Sequence, residues 1–207
     1  MDKQKASRIL DLLKGKYPDA GCALDYTNTF ELLVAVCLSA QTTDVSVNKV
    51  TPALFAAYPE SKDLAEAYVS DVAELIKTIG MYRQKAKRLV ELSRALCEKY
   101  NGNVPKEYDE LIKLPGVGRK TANVVMSVGF GKQAIAVDTH VFRVANRIGL
   151  TESEDVLKTE FELMKIIPKD RWTEAHHSLI FHGRNCCKAR KPACDTCIIE
   201  DLCDKKI

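Results

Sequence analysis

Lys120 stands directly after the string Leu114-Pro115-Gly116-Val117-Gly118-Arg119, and Asp138 stands within Ala136-Val137-Asp138-Thr139-His140. An amine nucleophile and a carboxylate framing one helix form a candidate catalytic pair. A protonated lysine is a poor nucleophile. In the first turn of a helix, however, the dipole disfavours its positive charge, and Arg119 and partial burial push the same way. Asp138 follows an apolar run and starts a helix. It is either an N-cap or a carboxylate facing a cleft, where it would stabilise a positive, sugar-like transition state and shuttle a proton.

The string before Lys120 reads helix, Pro-Gly-Val-Gly, helix. Glycines permit φ > 0 and let a foreign backbone come close. The N–H groups that open the second helix are unpaired within it and aim at the loop, and the dipole adds to their attraction for an anion. Leu111, Leu114 and Val117 face Ala122, Val124 and Val125 across the turn. This is the helix-hairpin-helix pattern, which holds a DNA phosphate without reading bases. A nucleotide-binding P-loop fits less well, because Arg119 rather than glycine precedes Lys120.

The chain has 207 residues, enough for one large domain or two small ones. It carries eight cysteines. Cys22, Cys37 and Cys97 stand alone, and the last two sit in apolar helical patterns that predict buried small hydrophobes. The other five, Cys186, Cys187, Cys194, Cys197 and Cys203, crowd into the tail. In a reducing compartment such a cluster signals metal more often than disulfides. The set Cys187, Cys194, Cys197 and Cys203 offers four thiolates, which suit zinc or an iron–sulfur cluster alike. Cys186 is one residue out of register and is left unassigned.

These groups need a helical scaffold to position them. Helices are predicted over 2–16, from Thr29 as cap to Leu38, from Thr43 or Asp44 to Tyr58, and over 63–67, 71–78 and 82–100. Further helices follow over 107–113, 120–130, 138–148, 155–165 and 170–183. The run from Phe30 to Leu38 is apolar nearly all round and should form a buried central helix. Pro52 should kink or restart its helix. Gln133–Val137 is the best strand candidate, and the class is all-α. Net charge is only +3, so distribution matters more. Basic runs lie at 81–99 and at 184–191, the latter with Lys188, Arg190 and Lys191, whereas 152–162 is acidic. No apolar run approaches the ~20 residues that cross a bilayer. The N-terminus lacks a signal-peptide pattern, so a cytoplasmic protein is expected.

On Leu38-Ser39-Ala40-Gln41-Thr42-Thr43-Asp44, the hairpin with Lys120, Val137-Asp138-Thr139-His140 and the C-terminal cysteines, the chain resembles the endonuclease III family. These are bifunctional DNA glycosylases and abasic-site lyases of base-excision repair. The resemblance implies a two-domain, all-α helix-hairpin-helix glycosylase fold. Residues 22–132 would form a helical barrel; 1–21 with 133–207 would form a second domain carrying the cluster loop at 187–203. DNA would bind in the groove between them. It implies that Cys187, Cys194, Cys197 and Cys203 hold a [4Fe–4S] cluster, which displays Lys188, Arg190 and Lys191 to phosphates. It implies that Lys120 forms a Schiff base with the sugar while Asp138 assists. Gln41 would fill the hole left by a flipped base, and Met81 would wedge the stack. Gly116, Gly118 and Arg119 would hold the backbone, and Ser39, Asp44 and His140 would line the lesion pocket. The expected partner of this monomer is double-stranded DNA with oxidised pyrimidines or abasic sites, near the nucleoid and away from membranes.

Three other readings compete. A monofunctional adenine glycosylase would lack this lysine. A non-catalytic, metal-stabilised DNA-binding module would leave Lys120 and Asp138 as coincidence. An iron–sulfur electron carrier has no second redox centre to support it.

Overall fold

The computed structural model describes residues 2–206, and among them every regular element is helical. The chain divides into two compact units. One is Ala23–Gly131; the other joins Met1–Cys22 to Lys132–Ile207.

In the unit of residues 23–131, α2 (Thr29–Leu38) lies at the centre. Its residues from Phe30 to Val36, and Leu38, are buried, as its continuous apolar run requires. Asn28, not Thr29, is its cap, and its side chain accepts the Glu31 N–H at 2.9 Å. Glu31 is buried because its carboxylate accepts from the Thr27 backbone and hydroxyl at 2.6 and 2.8 Å. Next comes α3 (Asp44–Ala57), capped by the Thr43 hydroxyl, and it continues through Pro52 as one helix. The short α4 (Ser61–Glu66) and α5 (Val69–Leu75) pack on α6 (Tyr82–Tyr100). Asn101 stops α6 in the left-handed region at φ 51°. The hairpin follows as α7 (Tyr108–Leu111) and α8 (Arg119–Val124). Beyond α8 the chain runs on as a π-helical turn over Val125–Gly129, rather than as the single α-helix expected to residue 130.

The other unit is built from α1 (Lys3–Lys16), α9 (Thr139–Ile148), α10 (Val156–Ile166) and α11 (Trp172–Asn185). Ile9, Leu10 and Leu13 of α1 share a core with Val141, Val144 and Ile148 of α9, Leu163 of α10 and Leu179 of α11. Each such side chain contributes about 1.5–3 kcal/mol on burial. Ile199, from the cysteine-rich tail, is buried in the same core, and Cys187, Cys197 and Cys203 pack against it. The candidate strand at Gln133–Val137 forms no ladder. Its polar groups go to α11 instead: the Gln133 side chain accepts the Thr173 N–H at 3.0 Å, and the Ala134 carbonyl lies 3.3 Å from His176 Nδ1. His176 and His177 are buried with rings 4.0 Å apart, and the Trp172 indole donates to the Ile167 carbonyl at 3.0 Å. All three serve helix packing.

Candidate active site and cluster loop

In the unit of residues 23–131, the hairpin turn is closed by a bond from the Val117 N–H to the Leu114 carbonyl at 3.1 Å. Leu111, Leu114, Val117, Ala122 and Val125 are buried beneath it, and Val124 is half-buried. Gly116 has φ +79°, which a residue with a Cβ adopts only under strain. Gly118 is the N-cap of α8, so no side chain caps the first-turn N–H groups. A methyl group built on Gly118 would meet nothing within 4 Å, so the approach to those donors is open. Arg119 is anchored beside it: its guanidinium donates to the Tyr108 hydroxyl at 3.2 Å and lies 5.5 Å from the centre of the Tyr108 ring. Lys120 is the second residue of α8 and is exposed, not partly buried as the sequence suggested. The first turn of a helix packed on its far side directs this position outward.

Ser39 closes α2 and donates its hydroxyl to the Val36 carbonyl at 2.8 Å. Asp44 opens α3 directly after the cap. Between them Gln41 is exposed and adopts φ 54°. Met81, half exposed at 50%, adopts φ 56° immediately before α6. Left-handed backbone costs a non-glycine residue roughly 1–2 kcal/mol and clusters at functional segments. Lys85 reads in the sequence as one member of the basic run at 81–99. It is buried, and burial pulls its pKa below the ordinary lysine value. Its only sequence signal is a lysine on the apolar face of α6.

In the other unit, Asp138 is the N-cap of α9. One oxygen, Oδ1, accepts the His140 and Val141 N–H groups, both at 2.8 Å. Both bonds fall on the same atom, so Oδ2 remains available as an acceptor. His140 is the second residue of α9, with Nδ1 3.2 Å from an Arg143 nitrogen. Burial is the main influence on its imidazole and lowers its pKa. The ring packs against Gly183 of α11, where an added Cβ would lie 3.1 Å from it.

Helix α9 also grips the cysteine loop, through two arginines spaced one turn apart. Arg143 donates to the Gly183 carbonyl at 2.9 Å and the Cys187 carbonyl at 3.0 Å. Arg147 donates to the carbonyls of Lys188 at 2.6 Å and Ala189 at 3.0 Å. One helix thus holds Asp138 at its start and the loop at its end. Lys188, Arg190 and Lys191 are exposed on that loop. Neither arginine stands out in the sequence as a loop anchor, although their i, i+4 spacing marks one helix face.

The five tail cysteines line one cavity together with Arg147, His182 and Lys205. Among the described residues no carboxylate lines it. Burial foremost, and then the neighbouring thiols, push the Cys186 thiol up to about 12. His182 Nε2 lies 3.7 Å from Cys197 Sγ, and burial pushes this histidine down to about 4. The Lys205 N–H donates to Cys203 Sγ at 3.3 Å. Five sulfurs with basic neighbours fit an iron–sulfur cluster, and the His182 nitrogen lies within 4.8 Å of the Cys186 and Cys197 sulfurs. Cys22, Cys37 and Cys97 are remote in sequence from this cavity and partly buried, and burial pushes the Cys37 thiol up to about 12.

A helix-hairpin-helix protein with a cysteine-built tail loop is the class these features define. Residues 34–169 match the family described as HhH-GPD superfamily base excision DNA repair protein, and residues 187–203 match the iron-sulfur binding domain of endonuclease III. Endonuclease III of Bacillus subtilis is 51% identical over 94% of this chain and 89% of its own length. That of Escherichia coli K12 is 47% identical over 100% of this chain and 98% of its own. A solved structure of a trapped endonuclease III–DNA covalent intermediate superposes with TM-score 0.95 at 50% identity, covering 99% and 97% of the two chains. The chain belongs to the endonuclease III family. It is a base-excision-repair DNA glycosylase and abasic-site lyase, acts on DNA, and carries a [4Fe–4S] cluster in its C-terminal loop. Among the described residues no helix is long and apolar enough to cross a membrane.

Proposed function

We propose that this protein removes oxidised, ring-saturated pyrimidines from double-stranded DNA, as a monomer, with Lys120 as nucleophile and Asp138 as its electrostatic and proton-transfer partner. The damaged nucleotide leaves the stack at a cost of a few kcal/mol. The Lys120 amine forms a bond to C1′ as the N-glycosidic bond breaks, and the base departs with the bonding electrons and the proton that the amine sheds, relayed through Asp138. Asp138 stabilises the positive charge that develops on the sugar and takes up the proton the amine sheds. The sugar ring then opens to an iminium, which acidifies the C2′ proton. Loss of that proton expels the 3′ phosphate by β-elimination. The observation that carries this reading is the exposed Lys120 in the first turn of an uncapped helix, with open space at Gly118 beside it. It is supported by the covalent DNA intermediate trapped for a relative at 50% identity.

Gly116, Gly118 and Arg119 hold the backbone in this account. Gln41 fills the vacated stack, Met81 wedges it, and Ser39, Asp44 and His140 line the lesion pocket. The experiment that tests the hairpin is Gly118→Ala. The methyl group has room in the free protein, so the melting temperature should hold. It would occupy the space a phosphate needs, so DNA affinity should fall about tenfold and equally for all sequences, with a shallower salt dependence. Unchanged affinity would remove the hairpin from the interface.

Cys187, Cys194, Cys197 and Cys203 are the proposed cluster ligands. When bound, the cluster supplies four iron–sulfur bonds that cross-link the loop, and no step above uses an electron. Cys197→Ser should abolish the visible absorption of the purified protein and lower DNA affinity by at least about tenfold, as Lys188, Arg190 and Lys191 lose their scaffold. Full iron content and colour in this variant would show that Cys197 is not a ligand.

A further inference from the structure

Lys85 has only 6% of its surface exposed, yet among the described residues no carboxylate accepts from its ammonium. Its three N–H donors go to the Leu38 carbonyl at 2.9 Å, the Ala40 carbonyl at 2.8 Å and the Thr42 hydroxyl at 2.7 Å. Position supplies what charge pairing does not. Leu38 ends α2, and the last carbonyls of a helix lack partners within it and carry the negative end of its dipole. The cation therefore caps α2 from another element and holds residues 38, 40 and 42 at once.

The residue at the middle of this clasp is Gln41, exposed and left-handed, with bonded neighbours on both sides. Helix α6 itself ties Lys85 to the second left-handed position, since the first i→i−4 bond of the helix runs from the Lys85 N–H to the Met81 carbonyl at 3.0 Å. Lys85, Ala40 and Met81 line one cavity together with Pro115 and Gly116 of the hairpin. One lysine thus joins both strained segments, by its side chain to one and by its main chain to the other.

We infer that Lys85 is a positioning residue for opening the duplex, locking the Gln41 segment to the Met81 segment so that the two side chains enter the DNA as one rigid unit. This rests on the reading that Gln41 fills the stack. Lys85→Met keeps the apolar stem and removes the donors; Thr42→Ala removes one acceptor and leaves the buried core untouched.

The test follows the fluorescence of 2-aminopurine placed beside the lesion, which reports flipping in a duplex. It is run with strand nicking of a single-stranded abasic oligonucleotide, which has no orphan base to replace. Lys85→Met should lower flipping and duplex excision about 10–100-fold, and Thr42→Ala several-fold, with single-strand nicking held within about twofold. Adding Gln41→Ala to Lys85→Met should cost little more than the worse single change, as coupled residues require.

If Gln41→Ala impairs flipping and Lys85→Met does not, the clasp is refuted while the role of Gln41 stands. If Gln41→Ala flips like the parent, the reading of Gln41 fails and the clasp with it. Equal loss of single-strand nicking in Lys85→Met would mark a general structural role and overturn the proposal. Should Lys85→Met not fold, Thr42→Ala decides: reduced flipping supports the clasp, and parental flipping refutes it.

Discussion

Asp138→Asn is expected to slow base release by roughly 10³-fold with DNA binding and thermal stability nearly intact. The reason lies in the two jobs of this side chain. As the N-cap of α9 it accepts two N–H groups on Oδ1. Asparagine caps a helix about as well as aspartate, so the amide should keep both bonds and the start of the helix. What it loses is the negative charge and the acceptor basicity of Oδ2. Asp138→Ala would lose both jobs, adding about 1 kcal/mol of destabilisation to the catalytic defect. The comparison therefore separates cap from catalyst. Single-turnover excision of a ring-saturated pyrimidine, alongside thermal melting, reads both. Parental excision by Asp138→Asn would reduce Asp138 to its structural role.

Lys120→Gln should remove abasic-site nicking to background, a loss of at least about 10⁴-fold, or more than about 5 kcal/mol of transition-state stabilisation. Glutamine is neutral and cannot form a Schiff base. Lys120 is exposed in the first turn of α8, so the change should move stability by less than about 0.5 kcal/mol. DNA affinity should weaken only by the loss of one cation. Gel resolution of nicked and intact abasic duplex gives the rate. A variant that still nicks at a measurable fraction of the parental rate would place the nucleophile elsewhere.

Local signals in the sequence were enough to mark much of the scaffold. Tyr82–Tyr100 is a helix as its spacing predicts, because Asn101-Gly102 stops it with two left-handed residues. The Pro-Gly-Val-Gly hairpin and the buried α2 were equally legible, since each depends on residues adjacent in the chain. What escaped depends on distant partners. Lys85 reads as an ordinary basic residue until α2 ends against it, 47 positions away. Arg143 and Arg147 look like surface cations of an amphipathic helix, yet they hold carbonyls about 40 positions on. The segment at Gln133–Val137 is short and Ala-rich, a poor strand former, and among the described residues no strand pairs with it; α11 takes its polar groups. The burial expected of Lys120 failed for a related reason: helix register, not residue type, decides which way a side chain points. As for the candidate site, motif strings marked Lys120, Asp138 and the four cysteines, whereas the parts that hold them in place became visible only in three dimensions.

The central claim is that Lys120 itself becomes covalently attached to the sugar. The protein is incubated with a duplex containing one ring-saturated pyrimidine, reduced with borohydride, digested with trypsin and nuclease, and the modified peptide located by mass spectrometry. A single sugar remnant on Lys120, absent without borohydride, is the predicted result. A remnant on another amine, or none from a preparation that excises the base and nicks the strand, would contradict the account.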